Sequence, residues 1–312
     1  MSAPPLTDSD RERRTGVLLS VGAYLAWGAF PLYFKALEAA PLEVLANRVL
    51  WSALFLTLVL GARARLRHLF AALRWRVVLG SALSASLLAI NWFVYIWAVG
   101  ERRVVDASLG YFITPLFSVV VGVLLLGEAL RGGQRLAIAT AGVGVAWLTL
   151  QFGQLPWVGL ALAVTFGSYG ALRKTGALGA LEGLALEQLI LLPVAAVYLG
   201  WLALGERSAL LGPSAAQSAL LVLSGPLSSV PLLLFAAGAR RIPLSLVGVL
   251  QYISPCLQFL LGVYLWHEPF NQQRLIGYAL IWLALVIYSL EGVWAARLRR
   301  REALALSRSA GR

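Results

Sequence analysis

Apolar stretches long enough to cross a lipid bilayer follow one another along almost the whole of this 312-residue sequence. In hydrocarbon every backbone N–H and C=O must be bonded within the protein, so such stretches fold as α-helices. A helix rises about 1.5 Å per residue and the hydrocarbon is about 30 Å thick, which sets one span at about 20 residues. On that measure helices are expected at 16–38, 43–61, 75–99, 105–126, 134–151, 155–172, 183–204, 216–238, 243–266 and 273–294, the fifth and sixth at the short limit. The run that begins at residue 16 is too long for a signal-peptide core and has other spans behind it, so it is read as a retained helix. The expected fold class is therefore an all-α polytopic membrane protein of ten transmembrane helices. Only 13% of the residues are charged, against about a quarter in soluble domains, and no loop has room for a soluble domain.

A net charge of +12 would suit a nucleic-acid partner if it formed one basic face, but the cations stand in short clusters between apolar runs. Of the 26 Lys and Arg residues, twenty fall in the two tails and in the loops near residues 62–76, 131–135, 173–174 and 240–241. Four, Arg102, Arg103, Arg207 and Arg274, fall in the alternate loops, and Lys35 and Arg48 lie within spans. Basic loops mark the cytoplasmic side, so both termini are expected inside and no nucleic acid is implied. The single cysteine, Cys256, excludes disulfides, and His68 and His267 both fall in loops. There is no H-E-x-x-H motif and no P-loop. Asp106 is the one aspartate near a span, so a pair of catalytic aspartates cannot be built. The chain is expected to be no enzyme and to hold no metal or cofactor.

The second half of the sequence echoes the first. Gly28, Lys35, Glu43 and Arg48 correspond to Gly167, Lys174, Glu182 and Glu187 at an offset of 139. Ala98, Gly100, Arg102 and Arg103 correspond to Ala236, Gly238, Arg240 and Arg241 at 138, and Ile113, Pro115, Gly122 and Glu128 to Ile253, Pro255, Gly262 and Glu268 at 140. Gln134, Arg135 and Leu136 then correspond to Gln273, Arg274 and Leu275 at 139. Four blocks in order, with offsets drifting by one residue, describe a duplication. Its parts are a cytoplasmic tail (1–15), a first five-helix repeat (16–151), a second (155–297) and a basic tail (298–312). Five is odd, so the second repeat enters the membrane from the opposite side. Inverted repeats are the architecture of secondary transporters, in which exchanging the conformations of the halves exposes a central site to the other face.

The same residues resemble a known family. The inverted five-plus-five arrangement is similar to the drug/metabolite transporter superfamily with its paired EamA repeats. Residues 24–35 (YLAWGAFPLYFK), 91–99 (NWFVYIWAV), 109–116 (LGYFITPL) and 167–174 (GSYGALRK) resemble the RarD group within it. The resemblance implies an inner-membrane permease or exporter of a small solute. The group is associated by name with chloramphenicol sensitivity, which does not fix a substrate.

Charge within hydrocarbon is costly, so each ionisable group there is a functional candidate. Arg48 lies about five residues into the second span, and Glu187 occupies the repeat-equivalent place in the seventh, followed by Gln188. Counting residues inward from opposite surfaces leaves about 15 Å between the two along the membrane normal. They are therefore expected at two mouths, one with Lys35, Glu43 and Arg48, the other with Arg173, Lys174, Glu182 and Glu187, acting as gates. Lys35, Glu43, Arg173, Lys174 and Glu182 also suit a bland role as helix-end anchors that snorkel to the headgroups. Glu187 is the best single candidate for a coupling proton. Uncharged polar groups recur at helical spacing, notably Asn91 with Tyr95, and Gln251, Pro255, Gln258 and Gly262. The expected substrate pathway comprises Trp27, Tyr33, Asn47, Arg48, Trp51, Asn91, Trp92, Tyr95, Tyr111, Tyr169, Glu187, Gln188, Gln251, Tyr252 and Gln258. These side chains would either line a cavity or bond helix to helix. The expected partners are a small-molecule substrate, a proton and the lipid bilayer; a membrane enzyme, a channel and a scaffold are the competing readings.

Overall fold

The computed structural model describes residues 8–126, 131–212, 214–239, 241–242 and 250–310, with the side chains of 8–10, 119, 122–126, 152, 174–175, 236, 239, 293 and 295–310 outside the description. The helices are α1 (Asp8–Lys35), α2 (Pro41–Ala62), α3 (Leu66–Ala71), α4 (Trp75–Gly100), α5 (Val104–Leu126), α6 (Gly132–Phe152), α7 (Trp157–Thr175), α8 (Ala180–Leu204), α9 (Ala215–Ala239), α10 (Ile253–Leu260, continued by a π-helical turn at Leu261–Leu265) and α11 (Gln272–Ala310). Among the described residues there is no strand. Six of the helices contain apolar segments long enough to cross a membrane, at Arg11–Lys35, Pro41–Ala62, Trp75–Gly100, Ala180–Leu204, Ala215–Phe235 and Gln272–Gly292, and two shorter apolar helices lie at Val104–Ser118 and Ile253–Leu265. The chain is an all-α, polytopic membrane protein.

The helices depart from the expected boundaries in two places. Helix α1 starts eight residues before 16, and α11 runs on well past 294, because the flanking Arg, Glu, Ala and Leu residues are strong helix formers that need no lipid around them. Helix α3 forms inside the loop expected after the second span, with Leu69 buried beneath it. The first residues of the expected ninth span, 243–249, lie outside the described residues.

Packing follows a scheme that survives exchange of the two halves. Helix α1 packs on α9 and α10, and α7 packs on α4 and α5; α2 lies against α8 and α9, α8 against α2 and α4, and α6 against α11. Replacing α1 by α7, α2 by α8, α4 by α9, α5 by α10 and α6 by α11 turns this set into itself. The correspondence reaches single residues. A Cβ on Gly28 would lie 2.9 Å from Leu257, and one on Gly167 would lie 2.7 Å from Phe117, so both helix crossings depend on the missing side chain.

Polar contacts between helix ends separate the molecule into two faces. On one, the Lys35 ammonium donates to the Val99 and Gly100 carbonyls at 3.3 and 3.1 Å. The Glu43 carboxylate there accepts from the Ala209 N–H at 2.7 Å, and Arg274 pairs with Asp106 at 3.3 Å. On the other, Arg65 pairs with Glu182 at 2.8 Å and Arg131 with Glu291 at 3.0 Å. Between the faces, large apolar side chains such as Leu54, Leu58, Val194 and Val197 are exposed along the helix flanks, where lipid chains would cover them. Trp75, Trp157 and Trp201 stand exposed near helix ends, and Trp294 just past the apolar segment of α11, as interfacial tryptophans do.

Candidate functional site

Helices α2 and α8 meet at the centre of the packing scheme, and each brings its own eighth residue there: Arg48 in α2 and Glu187 in α8. Arg48 is 1% exposed, and Asn47, Glu187 and Gln188 are fully buried. The Arg48 guanidinium sits 4.1 Å above the Trp92 ring, a contact the ring quadrupole makes attractive. Its Nε and Nη1 have no hydrogen-bond partner among the described residues.

Glu187 is held quite differently. Its Oε1 accepts from the Ser84 hydroxyl at 2.7 Å and lies 3.6 Å from the Arg173 guanidinium, while its Oε2 accepts from the Tyr169 hydroxyl at 3.2 Å. Arg48 and Glu187, expected at two mouths, lie within electrostatic reach of each other, and Arg48 also of Tyr111 and Tyr169. The residue count placed each side chain at the depth of its own backbone on an upright helix. Tilted helices and long side chains close such a gap.

A continuous band of aromatic rings links the two charges. Ring centroids of Trp92 and Tyr95 are 6.1 Å apart, Tyr95 and Tyr111 5.8 Å, Tyr111 and Phe166 6.0 Å, and Phe166 and Tyr169 6.0 Å. Most of these contacts are edge-to-face, the arrangement that ring quadrupoles favour. Asn91 fixes the band from behind: its Nδ2 donates to the Leu162 carbonyl at 3.1 Å and the Thr165 hydroxyl at 2.9 Å, tying α4 to α7. Several buried polar atoms have no partner among the described residues, namely Asn47 Oδ1, Trp51 Nε1, the Tyr95 hydroxyl and both polar atoms of the Gln188 amide. Buried polar groups are nearly always bonded, so these atoms are candidates for contact with water or a ligand.

The remaining residues of the expected pathway divide. Trp27 and Tyr33 pack against the same apolar cluster as Trp92, Tyr95, Tyr111 and Tyr169. Gln258 joins α10 to α1 by donating to the Trp27 carbonyl at 3.1 Å. Gln251 and Tyr252 occupy the turn before α10, and Tyr252 packs into a second cluster built on Phe112, Tyr278 and Ile281. Of the expected gates, Lys35 and Glu43 bind backbone at one face, and Glu43 is buried rather than reaching into headgroups. Arg173 reaches Glu187, and the Lys174 side chain lies outside the described residues.

Three residues that the sequence reading passed over also matter. Ser84 supplies the shortest bond to Glu187, and its spacing from Asn91 and Tyr95 (seven and eleven residues) was the available signal. Thr165 anchors Asn91. Glu268 accepts from the N–H groups of Val104 and Val105, both at 2.8 Å, and so caps α5 from 164 residues away. Burial raises the Glu268 carboxyl above its ordinary range, against the lowering effect of those two N–H bonds.

Comparison with known proteins agrees with this architecture. Residues 14–150 match the EamA-like transporter family. An uncharacterised transporter of Vibrio cholerae is 41% identical over 95% of this chain and 99% of its own length. Protein RarD of Streptomyces exfoliatus is 40% identical over 94% of this chain and 93% of its own. A crystal structure with 22% identity covers 89% of this chain and 98% of that one with a TM-score of 0.59, a likeness of fold. The chain is a membrane transporter of the multi-pass, inner-membrane type, and it belongs to the RarD group of the EamA family within the drug/metabolite transporter superfamily.

Proposed function

We propose that this chain is a secondary-active carrier that moves a small metabolite or drug-like solute by alternating access between its two halves. The observation that carries the reading is the set of buried, unpartnered polar atoms around Arg48, placed where α2 and α8 meet. The exchangeable packing scheme supports ten spans arranged as two inverted five-helix repeats, 16–151 and 155–297. The charge bias supports cytoplasmic termini, with the face that carries Glu43 and Glu268 outside. In this reading, Glu43 with the 208–209 backbone closes the outer mouth, and Arg65 with Glu182 closes the inner one. Glu187 carries the coupling proton, because Ser84 and Tyr169 hold its carboxyl in place in either protonation state.

The test is flux. Purified chain in proteoliposomes should take up or release its solute with saturable kinetics and respond to an imposed proton gradient. Non-saturable flux would identify a channel, and absence of flux across a screen of small metabolites and amphenicol drugs would overturn the carrier.

A further inference from the structure

We propose that Arg48 is the anion-binding element of the transport site, and that the substrate is a small organic monoanion, a carboxylate carried on a flat apolar body. The inference rests on the carrier reading and names the substrate class of the same site.

Three observations lead there. The first is charge. The buried centre holds Arg48 and Glu187, with Arg173 at its edge, which is one positive charge in excess when Glu187 is ionised and two when it is protonated. In both states the site calls for an anion. The second is the way Glu187 is satisfied. Ser84, Tyr169 and Arg173 occupy its oxygens, while Nε and Nη1 of Arg48 stay unpartnered at 1% exposure. Among the described residues Glu187 is the buried carboxylate in electrostatic reach of Arg48, and it does not meet the guanidinium by contact, which leaves those N–H groups open to an anion. The third is the direction of approach. The Arg48 guanidinium carbon lies 4.1 Å from the Trp92 ring centroid, so that ring closes one approach to it, and a carboxylate would be met by the N–H groups, which point outward in the guanidinium plane.

The surroundings describe the rest of the ligand. The unpartnered Trp51 indole N–H, Tyr95 hydroxyl and Gln188 amide are donors for further acceptor oxygens. The rings of Trp92, Tyr95 and Tyr111 make flat walls that suit a planar body. A phosphate monoester near neutral pH carries close to two negative charges and would leave the site over-neutralised while Glu187 is ionised. A carboxylate balances it.

The experiment uses the purified full-length chain in detergent and three acids, benzoate, phenylacetate and indole-3-carboxylate, each against its neutral amide and against inorganic phosphate, by titration calorimetry. The expected result is binding of at least one acid, at least tenfold tighter than its amide and tenfold tighter than phosphate. Arg48→Met should weaken that acid at least tenfold, and Arg48→Lys should retain part of the affinity. Equal affinity for acid and amide, tighter binding of phosphate, unchanged affinity in Arg48→Met or no binding of any acid would each overturn the proposal. If Arg48→Met does not fold, the acid-to-amide ratio of the wild-type chain decides alone. Acid-selective binding without flux in proteoliposomes would leave the anion site standing and sink the carrier. Saturable flux of solutes with no preference for acid over amide would do the reverse.

Discussion

Ser84 and Glu187 show how one hydroxyl can hold a buried carboxylate in place. The 2.7 Å bond is the shortest contact Glu187 makes, and Arg173 at 3.6 Å is too distant to replace it. Removing one partner of a buried charged group costs about 1–3 kcal/mol. Ser84→Ala should therefore lower stability by about that amount, measured as thermal unfolding in detergent; a variant that unfolds with the wild-type protein would show that the bond contributes nothing. Glu187→Gln asks a different question. Gln keeps the shape and its oxygen can still accept from one of the two hydroxyls of Ser84 and Tyr169, while its NH2 faces the other as a donor, but it cannot exchange a proton. Transport by this variant should lose its dependence on an imposed pH gradient, and a retained dependence would move the coupling site elsewhere.

At the scale of elements, the end of α10 and the start of α5 are joined through Glu268 alone among the acidic side chains described there. Its two bonds to Val104 and Val105 satisfy N–H groups that a helix start leaves open, and its charge suits the positive end of the α5 dipole. Loss of a helix cap costs about 0.5–2 kcal/mol. Glu268→Ala should raise hydrogen exchange of the amides at 104–107 while leaving α2 and α8 unchanged. Exchange unchanged at α5 would mean the cap is redundant. The crossing of α2 and α9 depends on a different device. A Cβ on Gly225 would fall on the backbone of Trp51 and Ser52, and the Ser52 hydroxyl bonds the Gly225 carbonyl at 3.2 Å. Gly225→Val should force the helices apart and displace Trp51, so solute binding should weaken more than thermal stability does. Wild-type affinity in a folded Gly225→Val protein would show that the crossing does not shape the site.

For the whole molecule, the proposed topology makes the distribution of cations measurable from outside the cell. With Cys256 replaced by Ser, single cysteines placed in the 100–103 loop should react with a membrane-impermeant reagent applied outside, and those in the 62–74 loop should not. The reverse pattern would invert the molecule and with it the assignment of outer and inner mouths. The reason to expect the first pattern is the excess of Arg and Lys in the loops and tails on one side, which insertion holds in the cytoplasm.

How much of this was legible beforehand depends on how far apart the cooperating residues lie. Hydropathy is a local property, so nine of the ten expected spans meet a helix within their own residues, and the ninth meets α10 and its π turn over the part that is described. The register of the duplication is also local. It aligned Arg48 with Glu187, and both prove to be the eighth residue of their helices. What the sequence could not decide is which polar group meets which. Glu43 was a natural partner for Arg48 five residues away, yet it binds the backbone at Ala209, on a loop 166 residues distant. The depth estimate that separated Arg48 from Glu187 treated every helix as upright and every side chain as short. The crossing of α2 and α8, the reach of a guanidinium and the close approaches allowed at Gly28, Gly167 and Gly225 are consequences of packing between distant segments. Local propensity and hydropathy fix where each helix runs; only the tertiary structure decides which buried charges meet a partner within the protein.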